Sequence, residues 1–210
     1  MPIEVTWLGH ASFRLACADG VVYIDPWKLS AAEADGDLVI VSHSHYDHCS
    51  PDDVAKVSAP SAVVVAPADA AAKLRGARAI APGQRVEAGK LAVEALPAYN
   101  IDKAFHPRAN GWIGAVVVLQ DKRIYYAGDS DRIPEMARLD KIDLALLPVG
   151  GTYTMDAVQA AQACRDIGCG LAVPYHWGDI VGSRADAERF VAAAESCQTR
   201  LLQPGQSLTL

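Results

Sequence analysis

The sequence predicts a layered α/β protein, with β-sheets packed face to face and helices outside. Three observations lead there. Strand-length runs fill the first third of the chain, a second group lies between Ala79 and Ala127, and each group passes into alternating strand and helix patterns. Aliphatic runs such as Leu38 to Val41 and Leu144 to Leu147 show no polar alternation, as expected of strands covered on both faces. Finally, the 210 residues contain no Ser/Gly/Pro-rich linker or charge block, so 1–210 reads as one domain with one sizeable core.

Taken in order, Val5 to Leu8, Ser12 to Ala16 and Val21 to Ile24 form a meander, with a hairpin turn at Ala18-Asp19-Gly20. Leu38 to Val41 is a buried strand. Ser50-Pro51-Asp52-Asp53 reads as a helix start, with Ser50 as N-cap, Pro51 at the first helical position and Asp53 closing a capping box. Ala62 to Ala66 is a strand, and Ala68 to Leu74 a short helix stopped by Gly76. Ala79 to Pro97 is extended, with turns at Pro82-Gly83 and Gly89-Lys90, and Ile113 to Leu119 with Arg123 to Ala127 form a hairpin. Leu144 to Leu147 and Leu171 to Val173 are buried strands. Helices cover Asp156 to Ile167, ending at Gly168, and Arg184 to Ala194. There is no sequence repeat.

A net charge of -6 provides no basic field to gather phosphate backbones, which argues against general nucleic-acid binding. The opening MPIEVTWLGH lacks the basic and apolar regions of a signal peptide, and no run of some eighteen apolar residues suggests a membrane span. A cytoplasmic protein without membrane contact is expected. Five cysteines, an odd number without framework spacing, read as reduced core fillers. The oligomeric state is left open.

The chemistry concentrates in VIVSHSHYDHCSPDD, where His43, His45, Asp47 and His48 follow directly on a buried strand. If the chain stays extended beyond the strand, a period of two sends His43 and His45 to one side, and the turn into a capped helix then holds Asp47 and His48. Imidazoles and carboxylates held this rigidly suit a metal ion. Asp129 follows Ile124-Tyr125-Tyr126-Ala127-Gly128, and His176 follows Leu171-Ala172-Val173-Pro174-Tyr175. Both repeat one arrangement, a ligand-type residue at the C-terminal mouth of a strand, where α/β folds assemble their sites. Asp25-Pro26 reads as a structural turn. Gly150-Gly151-Thr152 reads either as a tight turn or as backbone N–H groups offered to an anion, with the turn preferred.

The motifs SHSHYDH, YYAGDSD and PYHWGD, in that order, resemble the metallo-β-lactamase fold superfamily. TWLGHASFRL and LALLPVGGTYTM resemble the branch containing ascorbate-6-phosphate lactonase. The resemblance implies a four-layer αββα sandwich with a metal site at one edge of the two sheets. It also implies two divalent ions, with His43 and His45 on the first, Asp47, His48 and His176 on the second, and Asp129 bridging. Such ligands suit zinc, with manganese or iron as alternatives. Asp47 would also orient the attacking water and carry its proton.

One position departs from the pattern. Where the relatives place the first metal's third histidine in a P-A-x-H context, this chain has Pro97-Ala98-Tyr99-Asn100. His106 is therefore expected as a ligand or lid residue at the first metal. Asn100 is expected to support a ligand or contact substrate, and His10 to support a ligand or line the pocket without binding metal. The expected function is a metal-dependent hydrolase acting on a small, anionic metabolite of the lactone or phosphodiester class. The alternative is a metal-binding regulatory or interaction module without turnover.

Overall fold

The computed structural model describes residues 2–31 and 33–210; Met1 and Ala32 lie outside the described residues. The first half of the chain supplies β1 (Glu4–Gly9), β2 (Ser12–Cys17), β3 (Gly20–Ile24), β4 (Gly36–Ile40), α1 (Pro51–Val57), β5 (Ser58–Ala66), α2 (Ala68–Ala71) and β6 (Arg78–Ala79). The second half supplies β7 (Arg85–Ala88), β8 (Leu91–Pro97), β9 (Ile113–Leu119), β10 (Lys122–Tyr126), β11 (Leu144–Pro148), α3 (Ala157–Ile167), β12 (Leu171–Tyr175), α4 (Arg184–Ala193) and β13 (Gln198–Thr199). The chain then returns as β14 (Ser207–Thr209) beside β1.

Two seven-stranded mixed sheets result, in the orders β14-β1-β2-β3-β4-β5-β6 and β13-β12-β11-β10-β9-β8-β7. Each combines an antiparallel meander with parallel strands: β1, β2 and β3 run antiparallel before β4, β5 and β6, and β7 to β10 run antiparallel before β11, β12 and β13. The halves thus share a topology that the sequence does not show as a repeat.

The side-chain alternation of the first sheet separates its two faces. Val22, Ile24, Leu38 and Ile40 enter the core between the sheets, whereas Tyr23, Val39 and Val41 join an outer cluster with Val54 and Val57 of the α1 helix and Ala70 of α2. On the second sheet, α3 packs on β11 and α4 on β12. This is the αββα sandwich, and both faces of the central strands are covered, which explains their unbroken aliphatic runs.

The helix ends follow the sequence, with one correction. Asp156 and Gln159 form a reciprocal capping box, and Gly168 ends α3 in the left-handed region at φ 67°. At α1, Ser50 accepts the Asp53 N–H at 3.3 Å, but the Asp53 carboxylate turns to the Ser50 hydroxyl and to Lys56 and leaves the Ser50 backbone alone. The helix expected over Ala68 to Leu74 is regular only to Ala71, and β6, β13 and β14 are too short to announce themselves. No helix among the described residues is long and apolar enough to cross a membrane.

Candidate metal centre

Strand direction gathers the site. Within the first sheet β1, β3 and β4 share one direction, and within the second β8, β10, β11 and β12 do. Their C-terminal ends deliver His10 after β1, Asp25 after β3, His43 to His48 after β4, Asn100 and His106 after β8, Asp129 after β10 and His176 after β12. The loop after β4 is tied to the opposite sheet by the Ile113 N–H donating to the Ser42 carbonyl at 3.0 Å.

His43 and His45 do converge, but not by strand period. β4 ends at Ile40, the chain bends at Ser44 and turns at Tyr46 to His48, and the His45 carbonyl accepts both His48 N–H (3.1 Å) and Cys49 N–H (2.8 Å). His43 Nε2 lies 3.1 Å from His45 Nδ1. His106 joins them, so that one nitrogen from each of the three lies within 4.8 Å of the others. A second group of the same compactness comprises His10, Asp47, His48 and His176.

Asp129 stands between the groups. Its Oδ2 is 3.3 Å from His106 Nε2 and 3.2 Å from His176 Nε2, and its Oδ1 is 3.3 Å from His48 Nε2. Yet all three nitrogens and Oδ1 are buried without a hydrogen-bond partner. Buried polar atoms left unpaired are costly, and four of them aimed at one place fit a cation that would pair with all of them. The donor set, imidazole with carboxylate, is that of zinc and related divalent ions.

Comparison with known proteins supports metal dependence at the level of family. The family model described as "Beta-lactamase superfamily domain" matches residues 4–176. The chain belongs to the metallo-β-lactamase superfamily. A protein of Aeropyrum pernix named UPF0173 metal-dependent hydrolase is 33% identical, with 97% of this chain and 96% of the relative aligned. One of the same name from Nitratidesulfovibrio vulgaris is 33% identical over 100% of this chain and 96% of its own. A crystallised, provisionally named metal-dependent hydrolase of Parabacteroides distasonis superposes with a TM-score of 0.84 at 27% identity, covering 97% of this chain and 94% of that one. The metallo hydrolase Igni18 of Ignicoccus hospitalis shares the fold, with a TM-score of 0.80 at 24% identity over 100% of this chain and 99% of its own.

In this superfamily member one residue that the sequence presents only as a turn organises both groups. Asp25 is fully buried, and its Oδ2 accepts the Ser42 hydroxyl (2.5 Å), His48 Nδ1 (2.7 Å) and the Tyr126 hydroxyl (2.6 Å), while Oδ1 accepts the Ser42 N–H (2.7 Å). An ionised carboxylate only accepts, so His48 must carry a proton on Nδ1, and Nε2 is the nitrogen that faces a metal once its own proton is displaced. Ser42 Oγ, whose hydroxyl donates to Asp25, accepts from His43 Nδ1 at 2.9 Å and leaves His43 Nε2 as the lone-pair nitrogen. Asp25 is therefore more than the expected turn. The signal was available: it too follows a strand mouth.

Asn100 does for His106 what Asp25 does for His48. Its amide nitrogen faces two acceptors, Asp131 Oδ1 at 3.2 Å and the Tyr153 carbonyl at 2.9 Å, which turns the amide oxygen to His106 N–H (2.9 Å) and Nδ1 (3.1 Å). Nδ1 is thus the donor and Nε2 again the free lone pair. The Asn100 N–H donates to the His106 carbonyl at 2.8 Å and closes the intervening loop. His10 Nε2 lies 3.0 Å from Asp47 Oδ2, and the His10 carbonyl accepts the His176 N–H at 3.0 Å.

Backbone strain collects here. Of the six non-glycine residues with positive φ among the described residues, three are His10 (48°), Asp25 (43°) and His176 (63°), a conformation that persists only where the surroundings enforce it. Gly150 is needed for space, since a Cβ there would meet the His176 carbonyl at 2.6 Å. Trp112 packs on His43, His45 and His106 at ring distances of 4.9, 4.8 and 5.6 Å, whereas Trp177 packs on Trp7 away from the centre. Cys49 lies in the outer cluster, and Arg132 is bound to Asp166 and Gln162 on α3.

Burial pushes the His43 imidazole well below its usual range and lowers that of His45, so both are neutral and ready to donate a lone pair. His48 is the opposite case. Burial alone would lower it, but the Asp129 and Asp25 carboxylates override burial and raise it well above the usual range. For Asp129, burial would raise the pKa, and the facing His176 and His48 rings hold it well below the carboxylate range. Two buried carboxylates flanking His48 demand positive charge, which a divalent ion supplies.

Proposed function

We propose that this protein is a metal-dependent hydrolase with a binuclear centre, zinc in both places, that cleaves an ester or lactone bond with water. Manganese and iron are the other cations the donor set accepts. The observation that carries the reading is Asp129, a buried carboxylate that stands between the two groups, within 3.3 Å of His106 of the first and of His48 and His176 of the second. In this reading His43, His45 and His106 would hold the first ion and Asp47, His48 and His176 the second, with Asp129 within reach of both. The names of the curated relatives and the resemblance to the lactonase branch support hydrolysis.

When bound, the ions supply Lewis acidity, polarising a carbonyl oxygen and lowering the pKa of water from about 15.7 toward 7. The chain's own groups position the rest. Ester hydrolysis replaces the acyl carbon–oxygen bond with a bond to the water oxygen; one water proton ends on the leaving alcohol and the other is lost as the carboxylate forms. Asp47 is placed to carry the first proton, because it lines the pocket over the centre and is held at the carboxylate by His10. Burial would raise the Asp47 carboxyl, but the His10 contact and His48 bring it below the usual range, so it is ionised and able to accept. Its substrate is a small molecule, and five free cysteines, two of them only partly buried, suit a reducing cytoplasm.

The test is metal analysis of protein purified without chelator, followed by turnover of lactones, thioesters and phosphodiesters. About two ions per chain and hydrolysis of the carbonyl substrates are expected, with Asp47→Asn keeping most of the metal and losing about 10²-fold or more in rate. No more than one ion after zinc and manganese reconstitution would sink the binuclear reading. Two ions without turnover of any class would turn it into the metal-binding module.

A further inference from the structure

A cavity of about 240 Å³ opens over the centre, with His45, Asp47, His106 and Asp129 at its floor. That is below the roughly 300–1,000 Å³ of pockets for drug-sized ligands, so it takes a small molecule. Its walls are Tyr46, Phe105, Tyr153 and Ile180, one from each of four loops at the strand mouths. Phe105 and Tyr153 meet edge to face at 4.7 Å and 86°.

Two features of these walls decide what they fit. Large hydrophobic side chains are exposed at six places among the described residues, and three of those six, Tyr46 (70%), Phe105 (47%) and Ile180 (37%), line this one cavity. Exposed apolar surface gathered in a concave site marks a place for apolar ligand atoms. The lining also contains no lysine or arginine. Two cations on the neighbouring loop segments are already engaged, Lys103 by the buried carboxylate of Asp131 and Lys28 by Asp179 at 2.9 Å. A phosphate or carboxylate on the distal part of a substrate would lose its water without gaining a cation in the lining to pair with.

We infer that the substrate is an uncharged small ester, lactone or thioester whose non-reacting part is an aromatic or branched aliphatic group seated between Phe105, Tyr153, Ile180 and Tyr46. This rests on the hydrolase reading and replaces the anionic metabolite expected from the sequence. The scissile carbonyl lies at the histidine and aspartate floor, where water adds and the alcohol or thiol leaves with one of its protons. The apolar group lies against the walls.

The experiment compares 3-phenylpropionate with succinate, which share a carboxylate head and differ in the distal group, by calorimetric titration of the metal-loaded protein. Their methyl esters, methyl 3-phenylpropionate and monomethyl succinate, are followed in parallel for turnover. The phenyl compound is expected to bind at least about tenfold tighter, since apolar pocket contacts are worth about 10–200-fold per group. Phe105→Ala should remove most of that preference at unchanged metal content, and Ile180→Lys, which adds a wall cation, should shift it toward succinate. Tighter binding of succinate, or a preference that neither variant changes, overturns the inference. If neither ester is hydrolysed while the binding preference holds, the pocket assignment stands and the hydrolytic reading falls.

Discussion

Replacing Asn100 with alanine isolates the amide that faces His106. The substitution removes the acceptor for His106 N–H (2.9 Å) and Nδ1 (3.1 Å) and the donor to Asp131 and the Tyr153 carbonyl. His106 is 1% exposed, so its released donors find little water. A buried donor left unpaired costs about 1–3 kcal/mol, and a shift of that size in a domain of this length is roughly 2–12 °C in Tm of the metal-free protein. The freed imidazole also loses its fixed tautomer and direction. Groups that orient a metal-binding histidine are worth about 10–100-fold in affinity, or roughly 1.4–2.7 kcal/mol. Chelator competition with zinc, resolving the two binding steps, should show that loss in the step that depends on His43, His45 and His106, with the other step changed by less than about threefold. Asn100→Asp, which keeps an acceptor for both His106 donors, should recover part of it. Wild-type affinity in Asn100→Ala, or equal loss in both steps, would refute the assignment of Asn100 as the residue that aims His106.

Three more expectations follow from the same geometry. Asp25→Asn exchanges an acceptor of buried donors for an amide, so the metal-free protein should lose about 3 kcal/mol or more by thermal unfolding and both zinc steps should weaken; loss in one step alone would deny Asp25 its role on both sides. Gly150→Ala places a Cβ 2.6 Å from the His176 carbonyl and 3.2 Å from its Nδ1, which should cost about 1–3 kcal/mol and weaken the second zinc step, whereas an unchanged melting curve and affinity would mean that the loop yields freely. In the metal-free protein the raised pKa of His48 stabilises the fold fully below about pH 6.5 and ceases to do so as pH rises through its folded value, so loading at pH 7 should displace its proton. Calorimetry in two buffers of different ionisation enthalpy counts that proton, and a count of zero refutes the charge state.

The sequence alone determined the layering and where several of the ligand-type residues gather. Unbroken aliphatic runs fixed the covered central strands, and His43 to His48, Asp129 and His176 each lay directly behind such a run, because a strand's burial and a motif's spacing are local properties of the chain. What only the tertiary structure decided depends on residues far apart in sequence. Asp25 is joined to Tyr126 across 101 positions, Asn100 to Tyr153 across 53, and the apolar walls come from four separate loops. An aspartate before a proline, an asparagine in a loop and an exposed phenylalanine each have ordinary local explanations. Their roles arise when two sheets bring their strand mouths to one edge, where the low-dielectric interior leaves every buried donor and charge in need of a partner.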